Sequence, residues 1–458
     1  MDRADELAAQ KVFAAVLPEI KPDANEIRQA TAHVNTLTTT LAKIVPRDVE
    51  LHVAGSIARG TNLKGAADFD IFMLFPKQRS KEAVEKQGVA YGKALAKKLK
   101  GTYEIKYAEH PYIRVFAGPL KLRADIVPAY KISDIEEMGT AVDRTPLHTA
   151  FINSSFTGRQ KDDTRLLKAL LKAHHIYGAE VKTNGFSGYL CELLIYNYGT
   201  LLKLLENAAA FTLPLVISPK RSHFDGNREA AVRRFNSQFI VIDPVDVNRN
   251  VAAGVSLESL SRFTIVAREF LSKPSVKAFK GHVNELRHHG TYADFLDGSG
   301  LDSFVVEVKV SDKSDDVVFP QLRKIATTLK EHAERLGFNV YLALPSVMSG
   351  KGYILILAQK TDLRTRLIKG PDAFMPKAVS NFIKAHKVSD GFIIRGSTVF
   401  ALDRNRYGSM DALISDVLKM GMARNSGDVK LKTAKVYSNR LPKGAEALAA
   451  ELEKKLRV

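Results

Sequence analysis

Apolar and polar positions follow different rhythms in successive stretches of the chain. Residues 5–45 show helical spacing, first in "ELAAQKVFAAVLPEI" and then in a longer stretch after Pro22. "DVELHVAG" reads as a strand closed by glycine, and "SIARGT" as a turn entering a helix. "DFDIFMLFP" is a strand stopped by Pro76, and "SKEAVEKQGVAYGKALAKKLK" returns to helical spacing with lysines on a solvated face. "YEIKYAEHPYIRVFAG" and "LKLRADIVPAY" supply two or three more strands. The order β-α-β-α-β-β predicts a small mixed sheet with helices on one side.

From about residue 147 to 275 the pattern is helical. "DDTRLLKALLKAHHIYG", "GFSGYLCELLIYNYGTLLKLLENAAAF" and "SLESLSRFTIVAREFLSK" each read as one long helix, and Pro274 ends the block. "DSFVVEVKV", "QLRKIATTLKEHAERLG", "NVYLALP" and "GYILILA" then alternate strand, helix, strand, strand. The last hundred residues mix helices with a hairpin at "GFIIRGSTVFAL". The predicted fold class is α+β multidomain, divided at 1–146, 147–275, 276–360 and 361–458.

One feature breaks the apolar logic. Asp68 and Asp70 stand at the head of what reads as a buried strand, twelve residues after Gly55-Ser56. In a strand, residues i and i+2 share a face roughly 6.5–7 Å apart, so the two acids point one way and Phe69 the other. Two adjacent carboxylates need a positive partner, and Mg²⁺ suits hard oxygen donors. A strand-edge solubility device is the bland alternative. Gly55 permits a tight turn, Ser56 offers its N–H and hydroxyl at a helix start, and Arg59 can pair with an anionic oxygen. Asp125 in "RADIVPAY" again precedes an apolar run. If its strand neighbours that of Asp68 and Asp70, three carboxylates converge. Such a trio can hold two metal ions about 3.5–4 Å apart for in-line displacement at phosphorus.

Composition narrows the partners. Over 458 residues, Lys plus Arg number 68 against 50 acids, a formal charge of +18 that favours a polyanion such as nucleic acid. Cys191 is the sole cysteine, which excludes a disulfide framework and a cysteine zinc site; its apolar surroundings read as a packed helix, not a nucleophile's setting. No apolar run reaches the roughly 20 residues of a membrane span, and "MDRADELAAQ" has no signal-peptide core, so the expectation is a cytoplasmic protein without a membrane partner.

"GSIARGTNLKGAADFD" with a distant third Asp resembles the nucleotidyltransferase signature of the polymerase-beta superfamily. "ADIVPAY", "AVDRTPLHTAFI", "RLLKALLKAHHIYGAEVKTNGFSGYLCELLI" and "DPVDVNRNVAAGVSLESLSRF" resemble, in order and spacing, class I archaeal-type CCA-adding enzymes. The resemblance implies an N-terminal polymerase-beta-like catalytic domain, a helical central domain that recognises the nucleotide, an α+β body and a tRNA-binding tail. It implies template-independent addition of C, C and A from CTP and ATP to the tRNA 3′ end, with release of pyrophosphate. By matching position, Asp68, Asp70 and Asp125 would hold two Mg²⁺ ions. Gly55, Ser56 and Arg59 would meet the triphosphate, and Thr145 and His148 would lie beside the nucleotide. Lys168 and Tyr177 would touch its phosphates and sugar, and Arg249 would hydrogen-bond the base. The first acid is often Glu in this family and here is Asp68, a shorter ligand of the same kind. The resemblance also allows a homodimer.

Each residue has a plainer alternative. His148 reads equally as a cap or core histidine, Tyr177 as a packed tyrosine with a wet hydroxyl, Lys168 as part of a solvated stripe with Arg165 and Lys172, and Arg249 as a surface partner of Asp243 and Asp246. Rival functions are a poly(A) polymerase or oligoadenylate synthetase, a non-catalytic RNA-binding protein on the same fold and, last, a small-molecule nucleotidyltransferase. Candidate contacts to the tRNA acceptor stem and T-arm are Lys430, Lys432, Lys435, Arg440 and Lys443, then Lys220, Arg221, Arg233 and Arg234. Binding of tRNA should therefore weaken steeply between low and moderate salt; a titration giving a flat binding constant would count against an electrostatic RNA surface.

Overall fold

A computed structural model describes residues 3–456 other than 67, 108–110, 118–121, 221, 223, 281–291, 361–364, 388, 405–406 and 420–426. The chain divides into two units, Met1–Val283 and Asn284–Arg457, each with its own core.

The first unit opens with α1 (Arg3–Ile20) and α2 (Ala24–Ala42). Asp23 starts the second: its carboxylate accepts from the Asn25 and Glu26 N–H groups, and Glu26 accepts from the Asp23 N–H in return. β1 (Glu50–Ala54) runs directly into the short α3 (Gly55–Arg59), and β2 (Asp68–Phe75) follows. α4 (Lys81–Lys98), capped by Ser80, leads to β3 (Thr102–Tyr107), β4 (Pro111–Ala117) and β5 (Leu122–Tyr130). The five strands form one sheet in the order β1-β2-β5-β4-β3, with β2 and β5 parallel and the other pairs antiparallel. This is the mixed sheet the pattern predicts. Phe69, Ile71, Met73 and Phe75 bury on one face with Ile113, Val115 and Ile126, under Leu37 and Leu41 of α2 and Val84 and Leu95 of α4. Gly88 and Gly92 let α4 lie close: a Cβ at either would stand 2.6 Å from Pro128 or Ile113. The opposite face carries a small apolar patch around Phe72, Leu74 and Val127, and the acids.

The helical block continues the same unit with α5 (Thr145–Ser155), α6 (Gly158–Ala173), α7 (Gly188–Tyr198), α8 (Leu201–Ala209), β6 (Leu215–Ile217), α9 (Arg228–Phe235), β7 (Phe239–Val241) and α10 (Leu257–Ser272). The single long helix expected across 185–211 is two. Gly199 ends α7 at φ +82°, and Thr200 restarts the chain by accepting from the Lys203 N–H. The parallel pair β6–β7 is too short to show in the pattern. Cys191 is wholly buried among leucines, and burial pushes its thiol up to about 12, so it is inert as expected.

The second unit holds α11 (Tyr292–Ser299), β8 (Leu301–Val310), α12 (Asp315–Arg335), β9 (Val340–Met348), β10 (Lys351–Gln359), β11 (Thr365–Asp372), α13 (Pro376–Ala385), β12 (Phe392–Arg395), β13 (Thr398–Arg404), α14 (Met410–Lys419), β14 (Val429–Ser438) and α15 (Ala447–Leu456). Its main sheet runs β14-β8-β10-β9. Residues 352–358 of β10 are buried on both faces, which is why "GYILILA" reads as a continuous apolar run. Leu322 and Leu413 cover one face, Leu296 and Leu448 the other. The division at 360/361 falls between β10 and β11, and β14 returns across it to pair with β8. The expected hairpin is β12–β13, inside a separate sheet β11-β13-β12. No helix among the described residues is long and apolar enough to cross a membrane.

Asp163 of α6 carries a cost. It is buried, its Oδ2 has no hydrogen-bond partner, and the nearest cation, Arg159 Nε, stands 4.0 Å away. Burial pushes its carboxyl up to about 6. A folded-state value above the unfolded one means the group destabilises the fold above pH 6, and the burden is relieved as pH falls toward 3.8. Asp163 lines a cavity of about 380 Å³, and with Arg159 nearby the burden is discounted to on the order of 1–2 kcal/mol. Asp163→Asn should stabilise the protein by that order near pH 8 and by little near pH 3. Thermal unfolding at both pH values checks this; equal shifts would assign the effect to packing.

Candidate active site

Strand register does what the two-residue period only implied. Ala54 of β1 pairs with Asp70 of β2, Asp70 with Asp125 of β5, and Asp125 with Arg114 of β4. Paired residues on neighbouring strands share a face, so Asp70 and Asp125 lie side by side, one strand spacing apart. Arg114 forks onto Asp125: Nε donates to Oδ1 at 2.7 Å and Nη2 to Oδ2 at 2.8 Å. Asp68 sits two positions before Asp70 in β2, in register with Arg123; its side chain lies outside the described residues. Among the described residues no group of three or more His, Cys, Asp or Glu stands close enough to hold a metal ion. Asp70 and Asp125 nonetheless present adjacent hard-oxygen donors, the chemistry that Mg²⁺ takes.

Gly55 fixes the approach to this row. It adopts φ +82°, and a Cβ there would stand 2.2 Å from Asp70 Oδ2. The elbow backbone therefore rests against the Asp70 carboxylate, with Ser56 half-buried at the next position.

Arg59 and Lys168 turn inward. Glu192 of α7 is fully buried, and Arg59 Nε lies 2.8 Å from its Oε2. The Thr61 hydroxyl donates to Glu192 Oε1, and Lys168 Nζ lies 3.7 Å from the same oxygen. Lys168 also donates to the Thr61 carbonyl and hydroxyl at 3.0 Å each. Arg165 donates to the Gly60 and Asn62 carbonyls. The loop leaving the elbow is thus gripped at three successive carbonyls by α6. Burial pushes the Glu192 carboxyl up, but Arg59, Lys168 and Thr61 outweigh it and hold it below its ordinary value. Burial pulls the Lys168 ammonium below its ordinary value, with Glu192 opposing. Lys168 is 1% exposed, so it does not belong to a solvated stripe. Tyr177 has a buried phenol whose pKa burial raises; a Cβ on Gly188 would stand 3.2 Å from its hydroxyl and 3.6 Å from Lys168 Nζ, so these two groups flank one glycine.

A second buried acid, Asp243, gathers the remaining residues. His148 Nε2 and Arg249 Nη1 donate to its Oδ2 at 2.8 and 2.9 Å, and the Tyr189 hydroxyl and Val245 N–H donate to Oδ1 at 3.1 and 3.0 Å. Burial pushes Asp243 up, yet these donors bring it to about 2. Burial holds His148 below the usual imidazole value, so it is neutral at pH 7 with its proton on Nε2. Its ring stacks on Tyr189 at 4.0 Å. Arg249 is 31% exposed and lines a cavity of about 520 Å³ with Arg144, Ser187 and Asn250. Thr145 opens α5, which packs against β1 and α3.

The structure therefore gathers the predicted residues into three groups: Asp70 and Asp125 with the Gly55-Ser56 elbow; Arg59, Lys168 and Tyr177; and His148 with Arg249. Sequence reasoning missed Arg114, Glu192 and Tyr189, and it named Asp243 as the partner of Arg249 but placed the pair at the surface, whereas Asp243 is wholly buried. Glu192 left a signal, as the lone acid inside an otherwise apolar run, and Arg114 another, as the one cation among the alternating residues of "PYIRVFA". In the second unit Lys430, Lys435, Arg440 and Lys443 are exposed on and after β14; the Lys432 side chain lies outside the described residues. Lys220, Arg233 and Arg234 of the first unit are exposed, and Arg221 lies outside the described residues. Gly55→Ala should cost on the order of 1–3 kcal/mol of stability and displace Asp70. Nucleotide-addition assays and thermal unfolding check this, with activity falling far more than stability alone explains.

Three family matches cover most of the chain. Residues 34–148 match the nucleotidyltransferase domain, 162–280 the second domain of tRNA nucleotidyltransferase, and 300–435 the C-terminal domain of the CCA-adding enzyme. The CCA-adding enzyme of Methanocaldococcus jannaschii is 33% identical over 90% of this chain and 91% of its own. That of Archaeoglobus fulgidus is 34% identical over 85% of each. Among solved structures, a Cid1 poly(U) polymerase aligns at 17% identity and TM-score 0.49, over 61% of this chain and 99% of that one. By three successive domains and by identity along nearly its whole length, the chain belongs to the CCA-adding enzymes.

Proposed function

We propose that this chain adds C, C and A to the 3′ end of tRNA, from CTP and ATP and without a nucleic-acid template, releasing pyrophosphate. The observation that carries the reading is the parallel register of β2 and β5, which sets Asp70 beside Asp125 next to the Gly55 elbow. Asp68, Asp70 and Asp125 are the proposed ligands of two Mg²⁺ ions. When bound, these supply charge neutralisation of the triphosphate and a lowered pKa for the attacking 3′-hydroxyl.

This chain's own residues do the rest. The elbow presents the Ser56 N–H and hydroxyl toward the triphosphate while Gly55 keeps the backbone close to Asp70. Arg59 and Lys168 fix the elbow through Glu192 and Thr61 and lend it positive charge, and Tyr177 stands next to Lys168. Thr145 and His148 lie on the helix against the elbow, beside the nucleotide in this reading. Asp243 holds Arg249 at the edge of a cavity sized for a base, where its free N–H groups can select C or A. Exposed Lys430, Lys435, Arg440 and Lys443 are the proposed contacts to the acceptor stem and T-arm.

Incubation of the protein with tRNA lacking its last three nucleotides, CTP, ATP and magnesium, followed by sequencing of the product end, tests the reading. Addition should stop after the terminal A. Long poly(A) on any RNA, with CTP ignored, would overturn it. Asp70→Ala should abolish addition while tRNA binding stays largely intact.

A further inference from the structure

We propose that Arg114 is a built-in competitor for the cation at Asp125: it neutralises that carboxylate and so sets how tightly the site takes a divalent metal. The inference rests on reading Asp70 and Asp125 as metal ligands.

The geometry is specific. Asp125 faces Asp70 on one side and Arg114 on the other, each in direct strand register. Without a positive neighbour, two adjacent carboxylates would repel. Arg114 supplies that neighbour from within the sheet and engages both Asp125 oxygens, at 2.7 and 2.8 Å. A carboxylate so forked keeps lone pairs only on its outer edges, and a guanidinium charge beside them disfavours an arriving dication. The pair is only partly exposed, at 20% for Arg114 and 15% for Asp125, so water does not screen it away.

The sheet also offers Arg114 an alternative. Glu104 of β3 pairs in register with Arg114, on the side away from Asp125, and is exposed beside Lys106. A guanidinium released from Asp125 therefore has a carboxylate within the same row. Tyr112, two residues before Arg114 on β4 and so on the same face, has its hydroxyl 3.4 Å from Arg114 Nη2.

The test is direct binding of Mn²⁺ to the full chain without nucleotide or tRNA, read from the free-Mn²⁺ electron paramagnetic resonance signal. Arg114→Met should bind Mn²⁺ about tenfold more tightly than the unaltered protein. Arg114→Lys, which keeps the charge and loses the fork, should fall between the two and guards against a folding defect in the first variant. Asp125→Asn should weaken binding and cancel the gain when combined with Arg114→Met. If Asp125→Asn weakens binding while both Arg114 variants bind Mn²⁺ equally or less well, Arg114 supports Asp125 and the proposal is overturned. If Asp125→Asn leaves Mn²⁺ binding unchanged, the metal-ligand reading fails first and the proposal falls with it.

Discussion

A carboxylate buried in an apolar helix must be neutralised, and the way Glu192 is neutralised organises the first unit. Its neighbours in α7 are Leu190, Cys191, Leu193, Leu194 and Ile195, all buried. Left unpaired, such a charge would cost several kcal/mol. It is met by Arg59 from the elbow helix, Lys168 from α6 and the hydroxyl of Thr61 between them. Removing either cation would leave the Glu192 carboxylate under-compensated inside an apolar helix. The ionic cluster therefore fastens the sheet to the helical block at the point where the chain turns past Asp70.

Asp243 repeats the device. It too is wholly buried, and it too collects groups from separate elements: His148 of α5, Tyr189 of α7 and Arg249 from the loop beyond β7. In both hubs the acid is enclosed while at least one partner reaches toward the surface or the elbow. Buried acids thus aim cations and an imidazole that would otherwise sample many rotamers. Part of the ordering entropy is met when the protein folds instead of when a nucleotide binds.

Legibility followed range. Asp68 and Asp70 could be read because they sit at i and i+2 within one strand, and Phe69 between them is buried on the opposite face. Asp125 could be read as a further acid before an apolar run, but its place beside Asp70 needed the parallel pairing of strands more than fifty residues apart. The Glu192–Arg59 pair joins residues 133 positions apart, and no local period encodes that. The helix break at Gly199 turned on a single glycine inside an otherwise continuous apolar spacing. β14 escaped because its lysines disguised an edge strand as a charged segment, a common habit of sheet edges.

The inward turn of Arg59 and Lys168 bears on how the elbow meets an anion. Two cations committed to one carboxylate do not leave the elbow neutral. Arg59 and Lys168 share Glu192, and Arg165 and Lys21 share Asp162, so basic side chains outnumber carboxylates beside the loop that leaves the Gly55-Ser56 elbow. In the proposed reaction, that surplus of basic groups in a poorly solvated region would favour an anion at the elbow without either side chain leaving its partner. A cation free to swing out would have to be reordered at each nucleotide addition. One fixed by Glu192 presents the same field each time, which suits the successive additions proposed for this chain.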